Sequence, residues 1–173
     1  MEHTIKTDQK LAAIMFTDII SYTKMMSNNE EKTLLLLKEH NSLLNDQFTK
    51  HSGSVIKETG DGFLTSFASS LKSVNAAIAI QNSLYIFNST RDTDDQIHIR
   101  IGIHLSEIVK TDQNGSIDVL GDGVNIASRI EKHSEPNGGG LCFSQQIYDQ
   151  IHNKINKYPI ESIGKKRLKG IPK

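Results

Sequence analysis

From Ile97 to Leu105 the chain alternates without a break. Ile97, Ile99, Ile101, Ile103 and Leu105 fall in one phase, and His98, Arg100, Gly102 and His104 in the other. A period of two places the apolar set on one face of a strand, so the chain must build a sheet with a face laid on a core. A second apolar run, Leu11-Ala12-Ala13-Ile14-Met15-Phe16-Thr17, is strand-like and ends at Asp18. Val55-Ile56 and Phe63-Leu64 flank Gly60-Asp61-Gly62, which reads as the turn of a β-hairpin with Asp61 at its tip.

Helical spacing fills the intervals. Ser27-Asn28-Asn29-Glu30-Glu31 offers caps and early acidic residues, and Leu34, Leu37, Leu44 and Phe48 follow on one face. Ser69-Ser70 opens a second helix through Ala77, Ile80, Leu84 and Phe87. The order β-α-β-β-α-β predicts an α+β fold with a ferredoxin-like core. C-terminal α/β additions follow: a turn at Gln113-Asn114-Gly115, a strand from Ser116 to Leu120, and a helix from Val124 to Glu131 with Asp122 as a candidate cap. Pro136 to Gly140 ends that helix, Leu141-Cys142-Phe143 is a short strand, and Ser144 caps a helix carrying Ile147 and Ile151. Residues 155–169 read as a final pair of strands. Residues 1–10 read as a polar leader, and residues 11–173 as one domain.

A chain of 173 residues supports one domain with its own core. Lys plus Arg and Asp plus Glu both number 20, and there is no Trp, so the electrostatic footprint of a nucleic-acid platform is missing. Cys142 is the only cysteine, which excludes an internal disulfide and a cysteine-based zinc site and suits a reducing compartment. Apolar stretches such as Leu11 to Phe16 fall far short of the roughly 20 residues of a membrane helix. The expectation is a soluble, cytoplasmic domain, cut from a longer chain that could carry a regulatory domain or a membrane anchor.

Asp18 and Asp61 lie at the ends of neighbouring strands, where two carboxylates can converge on a hard cation. Taken singly, Asp18 also suits a helix cap and Asp61 a turn. Asn125 and Arg129 are four apart and share a helix face, a pairing that suits a ribose and a phosphate, or a solvated surface. Lys57 and Asp118 supply a donor and an acceptor complementary to adenine, although each also fits a surface position. Lys169 closes a basic run from Lys165 that could reach a phosphate or protect an edge strand. The seven histidines show no paired metal spacing, and neither a nucleophile elbow nor a P-loop motif is present.

Together these residues resemble the catalytic domain of class III adenylate cyclases from Leu11 to Pro172. Phe16-Thr17-Asp18-Ile19-Ile20-Ser21-Tyr22-Thr23 is similar to the family's first metal motif and Lys57-Glu58-Thr59-Gly60-Asp61 to the second. Asp118 to Arg129 resembles the third, and Leu168-Lys169-Gly170 a fourth. The resemblance implies conversion of ATP to 3′,5′-cyclic AMP in a head-to-tail homodimer with two shared sites. Asp18, Asp61 and the Ile19 carbonyl would hold two divalent cations, Mg²⁺ or Mn²⁺. The partner would bring Lys57 and Asp118 to adenine, Asn125 to the ribose, and Arg129 and Lys169 to the phosphates. The backbone from Ile20 to Thr23 would receive phosphate oxygens. Ser21-Tyr22 stands where the family more often has Gly-Phe, and the chain stops before the strand that usually follows the Lys-Gly motif. A non-catalytic nucleotide-binding or dimerisation module and a guanylate cyclase are the alternatives.

Overall fold

The computed structural model describes residues 8–110, 117–134 and 140–171. Strand β1 (Asp8–Ile19) is central, with antiparallel neighbours on both edges. One is β3 (Phe63–Phe67), whose outer edge carries β2 (Gly53–Glu58). The other is β4 (Ile99–Lys110), paired with β1 from Asp8↔Lys110 to Ile19↔Ile99. The far edge of β4 is shared: antiparallel β5 (Ile117–Val119) takes its C-terminal end, and parallel β6 (Gly140–Phe143) takes Arg100 to Ile103. The order β2-β3-β1-β4 is that of the ferredoxin-like plan.

The alternation of β4 does what its period requires. Ile99, Ile101 and Ile103 are fully buried with Ala13 and Met15 of β1 and Phe63 and Phe67 of β3. Helices α2 (Glu30–Lys50) and α3 (Ser70–Asn88) cover this face with Leu36, Leu44 and Phe48 and with Val74, Ala77, Ile80 and Leu84. The other face carries α4 (Gly123–Glu131), whose Ala127 joins Ala12, Ile14, Leu64 and Ile108. Two shorter helices, α1 (Tyr22–Asn28) and α5 (Gln145–Ile151), complete the chain. No helix among the described residues is long and apolar enough to cross a membrane.

Local chemistry sets the boundaries. Asn29 caps α2 by accepting from Lys32 N at 3.0 Å, and Ser69 caps α3 through Lys72 N at 3.4 Å. Asp122 and Ser144 stand at the N-caps of α4 and α5 without a side-chain capping bond. The side chain of Asn88 donates to Ile97 O and accepts from Ile97 N, both at 2.8 Å. Ile97 is thereby satisfied by a side chain, and β4 begins two residues later than the alternation. Gly102 lets α4 lie directly on β4, since a Cβ there would sit 2.3 Å from Ala127 O and from Glu131 N.

Three expectations are corrected. Strand β1 starts at Asp8, because its polar residues pair with the long C-terminal half of β4. Residues 155–169 contain no strand: Pro159 lacks a donor, Gly164 turns the chain at φ 72°, and β6 pairs with β4 alone. Gly140, read as part of the helix-ending run, is the first residue of β6. The turn at 113–115, the end of the run at 136–139 and residues 1–7 lie outside the described residues.

Gly102→Ala should lower the unfolding free energy by about 1–3 kcal/mol, since α4 has to lift to admit one methyl group. Urea denaturation followed by far-UV circular dichroism measures it.

Candidate active site

Two hydrogen bonds fasten the hairpin tip to the end of β1, and a third closes the turn. Thr17, wholly buried, accepts from Phe63 N through Oγ1 at 2.9 Å. Ile19 N donates to Asp61 O at 3.0 Å, and Thr59 N closes the turn on Gly62 O at 2.9 Å. Gly62 has no room for a side chain, because a Cβ would lie 1.8 Å from Thr17 O. Asp61 is thus brought beside Asp18. Burial pushes the Asp61 carboxyl above the usual carboxylate range, and hydrogen bonding and charge from Asp18 push it further. Two crowded carboxylates of this kind favour a cation between them.

Asp18 faces Arg100 across the β1–β4 register, and the Arg100 guanidinium bonds its carboxylate through Nη2. The Nε of Arg100 approaches Oε1 of Glu131 at 2.6 Å. That contact is a charge pairing without hydrogen-bond alignment, as neither atom finds an aligned partner. The Glu131 side chain is fully buried at the end of α4, and Lys132 Nζ lies 3.4 Å from its other oxygen. Burial raises the Glu131 carboxyl, and Arg100 and Lys132 oppose the rise. Arg100 and Glu131 were not among the residues expected from sequence. The one available signal was an arginine in the polar phase of an otherwise buried strand.

The other candidates lie apart from this pair. Asn125 and Arg129 are exposed on α4, whose buried residues are Gly123, Ala127, Ile130 and Glu131. Arg129 Nε donates to the Lys169 carbonyl at 3.2 Å, so these two expected phosphate contacts meet. Lys57 is exposed on edge strand β2, and Asp118 is exposed on β5 at the opposite end of the sheet path, with Oδ1 accepting from Val119 N at 2.9 Å. No hydrogen bond or ion pair among the described residues joins Lys57 to Asp118. Thr23 is exposed in the first turn of α1, which opens at Ser21 with φ 61°. This left-handed backbone is one that glycine adopts freely.

Among the described residues no group of three or more His, Cys, Asp or Glu side chains could hold a metal ion. A pair of carboxylates still fits a magnesium-like ion, which takes one or two of them together with substrate phosphates. Two grooves of about 490 and 640 Å³ lie beside α3 and α2, and Asp18 and Asp61 line neither.

The family model of the adenylate and guanylate cyclase catalytic domain matches residues 5–173. The chain belongs to this family. A putative adenylate cyclase 3 of Rhizobium meliloti is 34% identical over 149 residues, covering 86% of this chain and 24% of the relative. A receptor-type guanylate cyclase of Caenorhabditis elegans is 24% identical over 91% of this chain and 16% of its own length. The cyclase domain therefore spans about a quarter or less of these curated relatives. A solved adenylate/guanylate cyclase/hydrolase from Silicibacter pomeroyi superposes with a TM-score of 0.82 at 28% identity, over 96% of this chain and 94% of that one.

Replacing Arg100 by Leu leaves Glu131 buried opposite Lys132 alone and should cost about 3–5 kcal/mol at pH 7.5. A carboxyl whose folded pKa is raised loses stability as pH rises, so the deficit should shrink when the pH falls and the folded chain protonates Glu131 first. Urea titrations at pH 7.5 and 5.5 measure the difference. Ser21→Gly should instead stabilise the domain by about 0.5–1 kcal/mol by relieving the left-handed backbone. The same titrations read that gain.

Proposed function

We propose that this cyclase domain is an adenylate cyclase that converts ATP to 3′,5′-cyclic AMP and pyrophosphate in a head-to-tail homodimer. The observation that carries the reading is the division of labour along α4. Glu131 turns inward to the Arg100–Asp18 side, while Arg129, two residues earlier, is exposed and bonded to Lys169 O. Residues two apart on a helix are turned by about 200° and point to nearly opposite sides. One chain thus offers its carboxylate pair in one direction and its cationic phosphate contacts in another, and a second copy is needed to bring both sets to one nucleotide.

Asp18, Asp61 and the Ile19 carbonyl would hold two divalent cations, Mg²⁺ or Mn²⁺. When bound, these supply activation of the ribose 3′-hydroxyl and neutralisation of the leaving pyrophosphate. The partner's copies of Lys57, Asp118, Asn125, Arg129 and Lys169 complete the site. Asn125 orients the ribose so that the 3′-oxygen stands in line with the α-phosphorus, a positional contribution to rate. Arg129 stabilises charge growing on the phosphoryl oxygens, a preorganised interaction of about 3 kcal/mol in comparable sites. Lys169 adds charge beside it, while on the protomer that holds the cations Thr23 and its neighbours seat phosphate oxygens.

Base choice rests on Lys57 as donor and Asp118 as acceptor, a set that matches adenine and opposes guanine. The similarity to a receptor-type guanylate cyclase keeps the GTP-using alternative open to test. Lys57→Glu with Asp118→Cys should weaken ATP turnover and move preference towards GTP. Undiminished ATP preference in steady-state assays of both nucleotides would overturn the assignment of the base readers.

Specific activity should rise with protein concentration as dimers form. An equal mixture of inactive Asp18→Ala and Arg129→Ala chains should recover roughly a quarter of the unsubstituted activity, since half the dimers are mixed and each has one intact site. No recovery would exclude a shared site.

A further inference from the structure

The hairpin that carries Asp61 is held at both ends by two adjacent residues of α2 to which nothing above gives a role. His40 is completely buried, and its ring stacks on Phe63 with centroids 6.1 Å apart and planes inclined by 28°. Phe63 is the first residue after the turn, and it also meets Phe48 edge-on at 5.4 Å. Asn41 donates through Nδ2 to Oε1 of Glu58, the last residue before the turn. The loop Thr59 to Gly62 is therefore bracketed, with Glu58 gripped by Asn41 and Phe63 by His40.

The hydrogen bonds fix the protonation of this chain of groups. The Asn41 amide nitrogen faces the Glu58 carboxylate, a pure acceptor, so Asn41 Oδ1 is the atom turned to His40 Nδ1 at 2.8 Å. A carbonyl oxygen only accepts, so Nδ1 bears the proton. Nε2 is then a bare acceptor, buried without a partner among the described residues. Burial lowers the His40 pKa, consistent with a neutral ring. Donors run in one direction, from imidazole to amide to carboxylate, and such aligned bonds reinforce one another.

We propose that His40, Asn41 and Glu58 are positioning residues that fix the Thr59–Gly62 loop and so hold Asp61 at the separation from Asp18 that a divalent cation requires. The inference rests on the reading of Asp61 as a metal ligand. The contacts that join Asp61 to β1 set only one side of the loop, through Ile19 N to Asp61 O and Phe63 N to Thr17 Oγ1. The α2 clasp sets the other side. Lys57 precedes Glu58 on β2, so the same clasp steadies the residue assigned to the adenine of the second site.

Glu58 is solvent-exposed, so its replacement leaves the core intact, and Mn²⁺ affinity of the nucleotide-free full chain, read by electron paramagnetic resonance, separates the cases. Glu58→Ala should weaken Mn²⁺ binding about tenfold, as loss of a partner behind a metal ligand does elsewhere. Glu58→Gln removes the same charge but keeps a carbonyl acceptor for Asn41, and should stay within twofold of the unsubstituted chain. Asn41→Asp sets two carboxylates against each other and should weaken binding at least as much. Combining Asn41→Asp with Glu58→Gln restores the bond with donor and acceptor exchanged, and should restore affinity. Equal affinities for Glu58→Ala and the unsubstituted chain, or equal losses in Glu58→Ala and Glu58→Gln, would overturn the positioning role. If the unsubstituted chain binds no Mn²⁺, the metal-site reading falls and this inference falls with it.

Discussion

The closeness of Gly62 to Thr17 is the constraint on which the candidate site depends. A Cβ at position 62 would stand 1.8 Å from Thr17 O, so the two backbones are nearer than any side chain permits. That approach allows Thr17 Oγ1 to accept from Phe63 N and Ile19 N to reach Asp61 O. It also fixes where the Asp61 carboxyl sits relative to Asp18. Strand β1 is itself held along all its twelve residues by β4, so the platform under the carboxylates is paired over its whole length.

Electrostatics then build on this frame in layers. Asp61 is crowded by Asp18, Asp18 is bonded by Arg100, and Arg100 is backed by the buried Glu131. An isolated carboxylate at the depth of Glu131 would be costly, and its pairing with Arg100 and Lys132 offsets that cost. The arrangement also ties α4 to the side of the fold that carries Asp18 and Asp61. The helix presenting Asn125 and Arg129 outward is the one whose last residue is buried against Arg100.

Much of this was legible from local signals. Gly60-Asp61-Gly62 between apolar pairs specifies a hairpin through backbone preferences that need no distant partner, and β2 and β3 flank it as expected. The same holds for Asn29 and Ser69, whose side chains bond amides three residues on. Where a pattern needs a partner to be realised, local reading fails. Residues 155–169 read as a pair of strands, but a strand requires an edge to pair with, and they take none. Arg100 escaped notice for a related reason: Asp18 is 82 residues away in sequence.

The sequence by itself determined the ferredoxin-like order of elements, the placing of Asp18 and Asp61 at strand ends, and the sharing of one helix face by Asn125 and Arg129. These follow from side-chain periodicity and turn chemistry, which act over a few residues. Only the tertiary structure decided that Arg100 and Glu131 stand behind Asp18, that Arg129 meets Lys169, and that His40 and Asn41 clasp the hairpin. Those contacts depend on the β1–β4 register, on how closely α4 can approach Gly102, and on how α2 lies over β2 and β3. Each is set by packing between segments far apart in the chain, so no short window of sequence contains it.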